Sequence, residues 1–333
     1  MSELGCPARK WTEASHAKLV NGYMTPAPRE VATGLRFPEG PVAMPDGSVI
    51  LVEIESQHLT RVKPGGAIER IAHLGGGPNG AAIGPDGRAY ICNNGGLDWH
   101  RSAEHGIRPI SAASDYRTGR IECVDLASGK VDILFEASDK HRLCGPNDIV
   151  FDRHGGFWFT DMGKARARDV DRGAVCYAKA DGSMIREVIF PMWTPNGIGL
   201  SPDEKTLYVA ETATGRVWAF DISAPGEIAR QPWPASPHGG RLLAGLPGFQ
   251  NFDSLAVDSA GNVCVATLMN GGITVITAGG ASTSHIPMPD EMTTNICFGG
   301  PDLRTAYITL SSVGKLVAMD WPRPGLPLNY LNR

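Results

Sequence analysis

Six polar side chains recur at corresponding places along the chain, each at the head of a short apolar run. All six carry an oxygen atom that could bind a hard cation, because two are carboxylates and four are asparagine amides. If the fold brought them together, they would form an oxygen-rich site for a divalent cation rather than a histidine-type zinc site. These head residues are Glu39, Asn79, Asn147, Asn196, Asp253 and Asn295.

The unit around each head residue has the pattern of a β-hairpin. Two examples are GPNDIVFDRHGGFWFTD at 145–161 and TPNGIGLSPDEKTLYVAE at 194–211, in which turn residues separate two runs of strand character. Successive head residues are 40, 68, 49, 57 and 42 residues apart. A period of about 40 to 50 residues, with room for two further strands in each unit, is typical of propeller blades. The sequence therefore predicts an all-β fold, a six-bladed β-propeller with four-stranded antiparallel blades.

The two ends of the repeat array complete this scheme. The last unit has only three strands, whereas REVATGL at 29–35 resembles a lone strand upstream of the first hairpin. If this N-terminal strand closes the last blade, the ring has no open edge. We expect an N-terminal extension at 1–28 and a single propeller domain at 29–333. A loop insertion at about 94–119 lacks strand alternation and is expected to be a functional loop or lid, with a loose surface excursion as the alternative.

The inner strands of a propeller line a central channel, so the head residues are predicted to lie at one mouth of it. The alternative, that Asn and Asp begin strands because they favour turns, does not account for Glu39. A second polar register follows about 14 residues later, where the antiparallel return reaches the same mouth. These residues could orient the head residues, but we expect most of them to be solvated strand ends. They are Glu53, Asn93, Asp161, Glu211, Thr267 and Thr309.

Composition limits the classes of partner. The 333 residues include 41 glycines and 25 prolines, which indicates many turns and short strands. The net charge is −4 and Lys and Arg form no long run, so neither a nucleic-acid partner nor a membrane is expected. The absence of a membrane-length apolar stretch, of a secretory leader and of any CxxC motif predicts a cytoplasmic protein. The oligomeric state is left open.

Four motifs resemble the gluconolactonase, regucalcin and luciferin-regenerating enzyme family. They are FPEGP with Glu39, GPND with Asn147, TPNG…SPD…LYVAE with Asn196, and FDSLAVDSAGNVCVA with Asp253. The resemblance runs from residue 30 to about 320. It implies a propeller with one divalent metal ion in the channel mouth and a small-molecule lactone, of a sugar or a related compound, as substrate. Ca²⁺ is the first choice for the metal, and Zn²⁺, Mn²⁺ and Mg²⁺ stay open.

The resemblance also implies roles for single residues. Glu39, Asn196 and Asp253 match the family's metal ligands, and Asp253 matches the general base or nucleophile. Asn147 matches a position that binds either metal or substrate. Regucalcin-type members carry an arginine two residues before this asparagine, where this chain has Gly145. Further candidates for substrate binding come from the ring and from the loops: Asn79, Asn295, Arg142, Trp99, His100, His105 and Tyr116.

The predicted reaction is metal-dependent opening of a lactone ring. The cation would polarise the carbonyl group and stabilise the developing oxyanion, while Asp253 acts as base toward water or attacks directly. One alternative is an organophosphate-type hydrolase, similar to diisopropyl-fluorophosphatase, that uses the same site. The other is a non-catalytic metal-binding propeller scaffold. Carboxylates at channel positions favour an enzyme, because buried anions need a cation as partner.

Overall fold

The structure is a computed structural model that describes residues 27–333 together with two short strands, Leu19–Val20 and Tyr23–Met24. Most of the predicted extension at 1–28 therefore lies outside the described residues. The described chain consists of antiparallel β-strands and turns. It contains no helix with the length and apolarity of a membrane span.

Six sheets follow one another along the chain, one for each predicted repeat, which confirms the six-bladed propeller. The first strands are β1 (Leu19–Val20), β2 (Tyr23–Met24) and β3 (Arg29–Thr33). Blade 1 contains β4 (Pro38–Ala43), β5 (Val49–Glu53), β6 (His58–Val62) and β7 (Ile68–His73). Blade 2 contains β8 (Pro78–Ile83), β9 (Ala89–Asn93), β12 (Arg120–Val124) and β13 (Val131–Phe135), with β10 (Leu97–Ser102) and β11 (Gly106–Ala112) inserted after β9.

The remaining blades repeat this order. Blade 3 contains β14 (Pro146–Phe151), β15 (Gly156–Asp161), β16 (Gly173–Lys179) and β17 (Ile185–Met192). Blade 4 contains β18 (Pro195–Leu200), β19 (Thr206–Glu211), β20 (Arg216–Ala224), β21 (Glu227–Ala229) and β22 (Arg241–Gly245), with β21 and β22 sharing one side of β20. Blade 5 contains β23 (Asn251–Val257), β24 (Val263–Leu268), β25 (Gly272–Ile276) and β26 (Thr283–Pro287). Blade 6 contains β27 (Thr293–Gly299), β28 (Thr305–Leu310) and β29 (Lys315–Asp320), with β3 as its outer strand.

The ring closes as predicted from the sequence. Strand β3 pairs antiparallel with β29, with Ala32 opposite Leu316, so residues from both ends of the described chain share one sheet. The core lies between neighbouring blades: Tyr90 of blade 2 packs on Phe151 and Phe157 of blade 3, with ring centroids 5.0 and 5.7 Å away. Each blade thus buries its faces against its neighbours.

The insertion after β9 is not the irregular loop that its sequence indicated. Strands β10 and β11 form a separate two-stranded antiparallel sheet, in which Leu97 lies opposite Ala112 and Ser102 opposite Gly106. A register shift between Asp98 and Trp99 and the absence of apolar alternation hide this hairpin in the sequence.

Candidate functional site

Every blade is irregular at its head residue. The register of the inner hairpin shifts between Glu39 and Val42 in blade 1 and between Pro146 and Ile149 in blade 3, and equivalent shifts occur in the other four blades. An irregularity of the β-bulge type redirects a side chain out of the regular alternation of a strand. The head residues of blades 2 to 5 lie inside the shift, whereas Glu39 and Asn295 stand beside it and keep Val52 and Thr309 as ladder partners.

Glycine follows the head residue where neighbouring inner strands come closest. A Cβ atom on Gly40 would lie 2.4 Å from the Asn79 carbonyl oxygen, and one on Gly197 would lie 2.6 Å from the Asp253 carbonyl oxygen. Real side chains do not reach such distances, so only glycine permits this approach. The Glu-Gly and Asn-Gly pairs in the sequence are thus explained by the contact that brings the head residues together.

Side-chain hydrogen bonds link the head residues of different blades. Asn295 Nδ2 donates to Glu39 Oε2 at 2.7 Å, and Asn196 Nδ2 donates to Asp253 Oδ1 at 2.5 Å. The carboxyl groups are removed from water, because Glu39 is 3% exposed and Asp253 is 9% exposed. The other ring members, including Asn79 and Asn147, are buried as well. The structure therefore brings the predicted residues together as a buried polar ring.

Three carboxyl groups crowd this ring, and the described chain places no positive side chain beside them. Burial, and then the charge of Glu39, raises the pKa of Asp253 well above its ordinary value, and burial also raises the pKa of Glu39. The third group is Asp148, whose pKa is raised to about 7, chiefly by burial. Within residues 27–333 none of the three forms a salt bridge. If ionised together, these groups would carry negative charge that no described side chain compensates, and a bound cation would offset that charge.

Asp148 is the functional candidate that the sequence motifs did not single out. It follows Asn147 at the position that holds glycine in blades 1, 2 and 4, and this departure from the repeat is the signal that could have identified it. Its carboxylate accepts the Ile149 N–H at 2.9 Å and the Ile198 N–H at 3.2 Å. Asp148 therefore ties blade 3 to blade 4 directly below the ring.

Asn147 has an oxygen atom without a partner. Its Nδ2 contacts the Met162 sulfur at 3.4 Å, but no donor among the described residues reaches its buried Oδ1. An unpaired buried carbonyl oxygen costs free energy unless a ligand satisfies it. Together with Glu39 and Asp253, this oxygen fits the donor set of a hard divalent cation. No cluster of three His, Cys, Asp or Glu metal donors occurs in the described chain, so amide oxygens would have to take part.

The second polar register is buried, and our expectation of solvated strand ends is wrong for it. Asp161 is 2% exposed and accepts backbone N–H groups from Cys144 at 2.8 Å, Gly145 at 2.5 Å and Gly163 at 3.3 Å. Burial raises the pKa of the Asp161 carboxyl, and these donors oppose that shift. Asp161 therefore fixes the segment between β13 and β14 that immediately precedes Asn147.

The same arrangement recurs in three other blades. Glu53 accepts the Arg36 N–H at 2.8 Å, Asn93 accepts the Gly77 N–H at 2.9 Å, and Glu211 accepts the Trp193 N–H at 2.8 Å. Each donor lies two or three residues before a head residue. In blades 5 and 6 the register holds Thr267 and Thr309, whose hydroxyl groups bond to Thr274 and Thr294 at 2.7 and 2.9 Å. The register positions the head residues, as a ligand-orienting shell would.

Two of these connections are strained. Phe37 and Thr194 have φ angles of 56° and 44°, although neither is glycine. Each stands two residues before a predicted metal ligand, Glu39 or Asn196. The left-handed backbone conformation costs a bulky residue of order 1 kcal/mol or more, and it is retained only where the surrounding structure enforces it. Glu53 and Glu211 provide that enforcement, because each accepts a backbone N–H group of the connection. A side chain of the second polar register that holds a connection in this way is called a clamp below.

The loop candidates are distributed around the mouth rather than gathered at the ring. Trp99 packs on Phe37 with ring centroids 4.9 Å apart. His100 and His105 are exposed on the hairpin. Tyr116 donates its hydroxyl proton to the Cys144 carbonyl oxygen at 2.7 Å. Arg142 is exposed and lines a separate cavity of about 470 Å³, whose wall contains none of the six head residues.

The far end of the channel is covered by the last residues of the chain. Asn329 Nδ2 donates to the Phe151 carbonyl oxygen at 3.1 Å and to Glu204 Oε1 at 2.9 Å. A small cavity of about 100 Å³ remains between this segment and the ring, and its wall is largely apolar. Asp148 and Asn295 are the ring-level residues that reach this cavity. The polar mouth is therefore the end of the channel whose side chains could bind a cation and take part in a reaction.

Comparison with protein families gives one match that spans most of the described chain. The model of the SMP-30/Gluconolactonase/LRE-like region matches residues 37–312. A gluconolactonase of Zymomonas mobilis is 25% identical over 84% of this chain and 78% of its own length. A diisopropyl-fluorophosphatase of Loligo vulgaris is 27% identical over 86% of this chain and 90% of its own length.

Solved structures share the fold at lower identity. A gluconolactonase from Xanthomonas campestris superposes with a TM-score of 0.68 at 22% identity, and the match covers 88% of this chain and 89% of that chain. A calcium-binding regucalcin from Agrobacterium tumefaciens gives a TM-score of 0.68 at 18% identity, covering 91% and 98% of the two chains. These likenesses extend over nearly the whole propeller.

Proposed function

Because the chain belongs to the SMP-30/Gluconolactonase/LRE-like family, we propose that it is a metal-dependent hydrolase that opens the ring of a small lactone at the polar mouth of the channel. The observation that carries this proposal is the charge of the site. Glu39, Asp148 and Asp253 are buried together without a positive side chain from residues 27–333, and Asn147 Oδ1, which no donor of these residues reaches, lies at the same ring. The named lactonases among the relatives support the choice of substrate class.

Glu39, Asn196 and Asp253 would hold the divalent cation, and Asn147 would bind either the cation or the substrate. The donor set consists of oxygen atoms, for which Ca²⁺ is the first choice and Mg²⁺, Mn²⁺ and Zn²⁺ remain alternatives. When bound, the cation would supply Lewis-acid polarisation of the carbonyl group. Asn79 and Asn295 complete the ring and are proposed to contact the substrate.

Asp253 is the proposed base. It would take a proton from water as the water oxygen bonds to the lactone carbonyl carbon, or its carboxylate would attack that carbon directly. On the water route, the ring C–O bond breaks, the leaving alkoxide receives the proton held by Asp253, and the carboxyl group of the hydroxy acid loses its own proton to solvent. On the direct route, the ring opens to an anhydride with Asp253, the alkoxide takes a proton from solvent, and water then hydrolyses the anhydride to the same hydroxy acid. A carboxylate in contact with a divalent cation has a low pKa and is a weak base, and attack through a positioned water eases this difficulty.

A second candidate activity is hydrolysis of organophosphates at the same residues. The specific observation in its favour is the Loligo vulgaris diisopropyl-fluorophosphatase, which aligns with this chain over 90% of its own length. In this reaction water would attack phosphorus, give a proton to Asp253 and displace fluoride. Alternatively, Asp253 would attack phosphorus and displace fluoride, and water would then hydrolyse the phosphorylated Asp253. A non-catalytic metal-binding propeller is the remaining alternative.

One set of assays tests these proposals. Protein treated with chelator would be titrated with Ca²⁺ by calorimetry and then assayed against a lactone panel with a pH indicator, and against a fluorophosphate with a fluoride electrode. We expect chelator-sensitive lactone hydrolysis and a loss of about 10²–10⁴-fold in kcat for Asp253→Asn. The control Asp320→Asn removes an exposed carboxylate and should keep full activity. Ca²⁺ binding without hydrolysis of either class would refute the enzyme and support the scaffold.

A further inference from the structure

The hairpin of residues 97–112, hereafter the strap, begins in blade 2 but makes its contacts on other blades. Arg101 Nε donates to Glu55 Oε1 of blade 1 at 2.8 Å. The Ile107 N–H donates to the Ser312 carbonyl oxygen of blade 6 at 2.9 Å, and Arg108 Nη2 donates to Glu291 Oε2, in the connection between blades 5 and 6, at 3.2 Å. Because blades 2 and 6 are separated by blade 1, the strap crosses the mouth side of blade 1.

The tip of the strap touches the propeller directly. Gly106 has a φ angle of 66°, and a Cβ atom there would lie 2.1 Å from the Ser312 carbonyl oxygen. Ser312 is itself fixed, because Asp290 accepts its N–H at 3.0 Å and its hydroxyl proton at 2.6 Å. Ser312, the residue on which the tip of the strap rests, is therefore held in place, and it leaves room only for glycine at position 106.

The underside of the strap is apolar. Leu97, Trp99 and Ile107 pack against the core cluster that contains Met292 of blade 6 and Phe37. Phe37 is the strained residue two positions before Glu39. The strap thus rests on the same connection that presents a predicted metal ligand.

The two ends of the strap are anchored with different strength. At its base, Lys164 is 3% exposed and donates to Asn94 Oδ1 at 3.1 Å and to the Gly96 carbonyl oxygen at 2.9 Å, so release there would leave a buried ammonium group without partners. Near the tip, the Glu55 carboxylate also accepts two hydrogen bonds from Arg36, each at 2.6 Å. Glu55 keeps this partner if Arg101 leaves. The tip is therefore the end that opens at low cost.

We propose that the strap determines substrate specificity: it roofs the mouth on the side of blades 6, 1 and 2 and limits the size of the lactone that reaches the ring. Trp99, on its underside, is the residue that sets the limit. The side of blade 4, where the half-exposed Trp193 lies, is left for entry. This proposal rests on the proposed lactonase function, but the position and opening of the strap are measurable without catalysis.

Hydrogen exchange of the full-length protein tests the anchoring. The double variant Arg101→Gln with Arg108→Gln should accelerate exchange of the Ile107 amide about tenfold, because two partly exposed ion pairs are removed. The control Glu104→Gln changes a strap residue whose only ion pair within the described chain is with neighbouring His105, and it should leave this exchange unchanged. Equal exchange rates of the Ile107 amide in the double variant and the wild type would refute the proposed anchoring of the strap, whatever the outcome for lactone hydrolysis.

Kinetics on the same proteins test specificity. The double variant and Trp99→Ala should each raise kcat/KM for a lactone with a bulky substituent at least fivefold relative to the unsubstituted ring, and Trp99→Phe should restore most of the selectivity. Unchanged selectivity in both variants would refute the size limit. If no protein hydrolyses any lactone, the proposed function fails, while accelerated Ile107 exchange would still establish the strap's anchoring.

Discussion

The inner ring of head residues and the second polar register around it use the same residue types for opposite purposes. Asp161, in the outer register, receives three backbone N–H groups, and its neighbours in that register are likewise engaged by the chain. Asp253, in the inner ring, shares its surroundings with two other carboxyl groups, and Asn147 has an oxygen that no donor in the described part of the chain reaches. The outer register satisfies the hydrogen-bonding groups of the backbone, whereas the inner ring concentrates carboxyl groups that have no such set of donors.

This difference indicates how the protein places charge where water cannot reach it. A buried carboxylate is tolerated when backbone donors surround it, and such a group can serve as a fixed clamp. The clamps in blades 1 to 4 hold the connections before Glu39, Asn79, Asn147 and Asn196. The unfavourable crowding of the inner ring is thus maintained by the favourable bonding of the outer register.

The largest effect is expected from breaking one clamp. Asp161→Ala would leave the N–H groups of Cys144, Gly145 and Gly163 without their acceptor, so the free energy of unfolding should fall by about 3–5 kcal/mol. Urea denaturation measures this loss. Asp169→Ala, in the connection that follows Asp161, is the matched control, and its exposed ion pair with Arg166 should contribute less than about 1 kcal/mol. A similar small loss for both variants would show that the outer register is not a clamp.

The next largest effect is expected at the inner ring, as a dependence of the free energy of unfolding on pH. An unfolded Asp loses its proton near pH 4, whereas burial holds the pKa of folded Asp148 at about 7. Between these values the folded metal-free protein binds more protons than the unfolded chain, so its stability should fall as pH rises, by about 2–4 kcal/mol in all. Urea titrations at pH 5 and pH 7 in chelator test this. Asp148→Asn should flatten the dependence, and a stability that instead rises over this range would contradict the assignment.

In the metal-free protein, removing an inner-ring carboxylate should raise the free energy of unfolding, whereas removing a clamp should lower it. In chelator, Asp253→Asn should raise the free energy of unfolding by about 1–3 kcal/mol, because it relieves the repulsion with Glu39. With saturating Ca²⁺ the variant should be less stable than the wild type, because it has lost a ligand. Thermal unfolding in both conditions gives the comparison. Destabilisation in chelator would mean that Asp253 is a structural residue like Asp161.

The periodic part of this architecture could be predicted from the sequence, because every blade repeats the same hairpin and turn chemistry. The head residues were found for the same reason, and the closing strand at Arg29–Thr33 was found because one blade lacked a strand. Burial of the outer register could not be predicted, since it depends on how each preceding connection folds back over its strand end. Asp148 was missed because it breaks the repeat at a single position.

The strap was missed for a different physical reason. Its strands, LDWHRS and GIRPISA, bury one side against blades that are distant in sequence, and the register shift beside Trp99 interrupts the alternation that such burial would impose. Sequence periodicity reports a strand only when the partner surface is regular. The insertion could therefore be located, but neither its hairpin nor its landing site could be predicted.

The smallest effect should come from the part of the outer register that carries no charge. Thr309→Val removes the hydroxyl that bonds to Thr294, yet Thr294 keeps its second partner, Ser311, at 2.5 Å. The loss in free energy of unfolding should therefore be about 1 kcal/mol, against the much larger loss for Asp161→Ala. Thr305→Val, on the same strand and partly exposed, is the control and should be nearly neutral. A loss above about 3 kcal/mol for Thr309→Val would show that the threonine blades are clamped as firmly as the acidic ones.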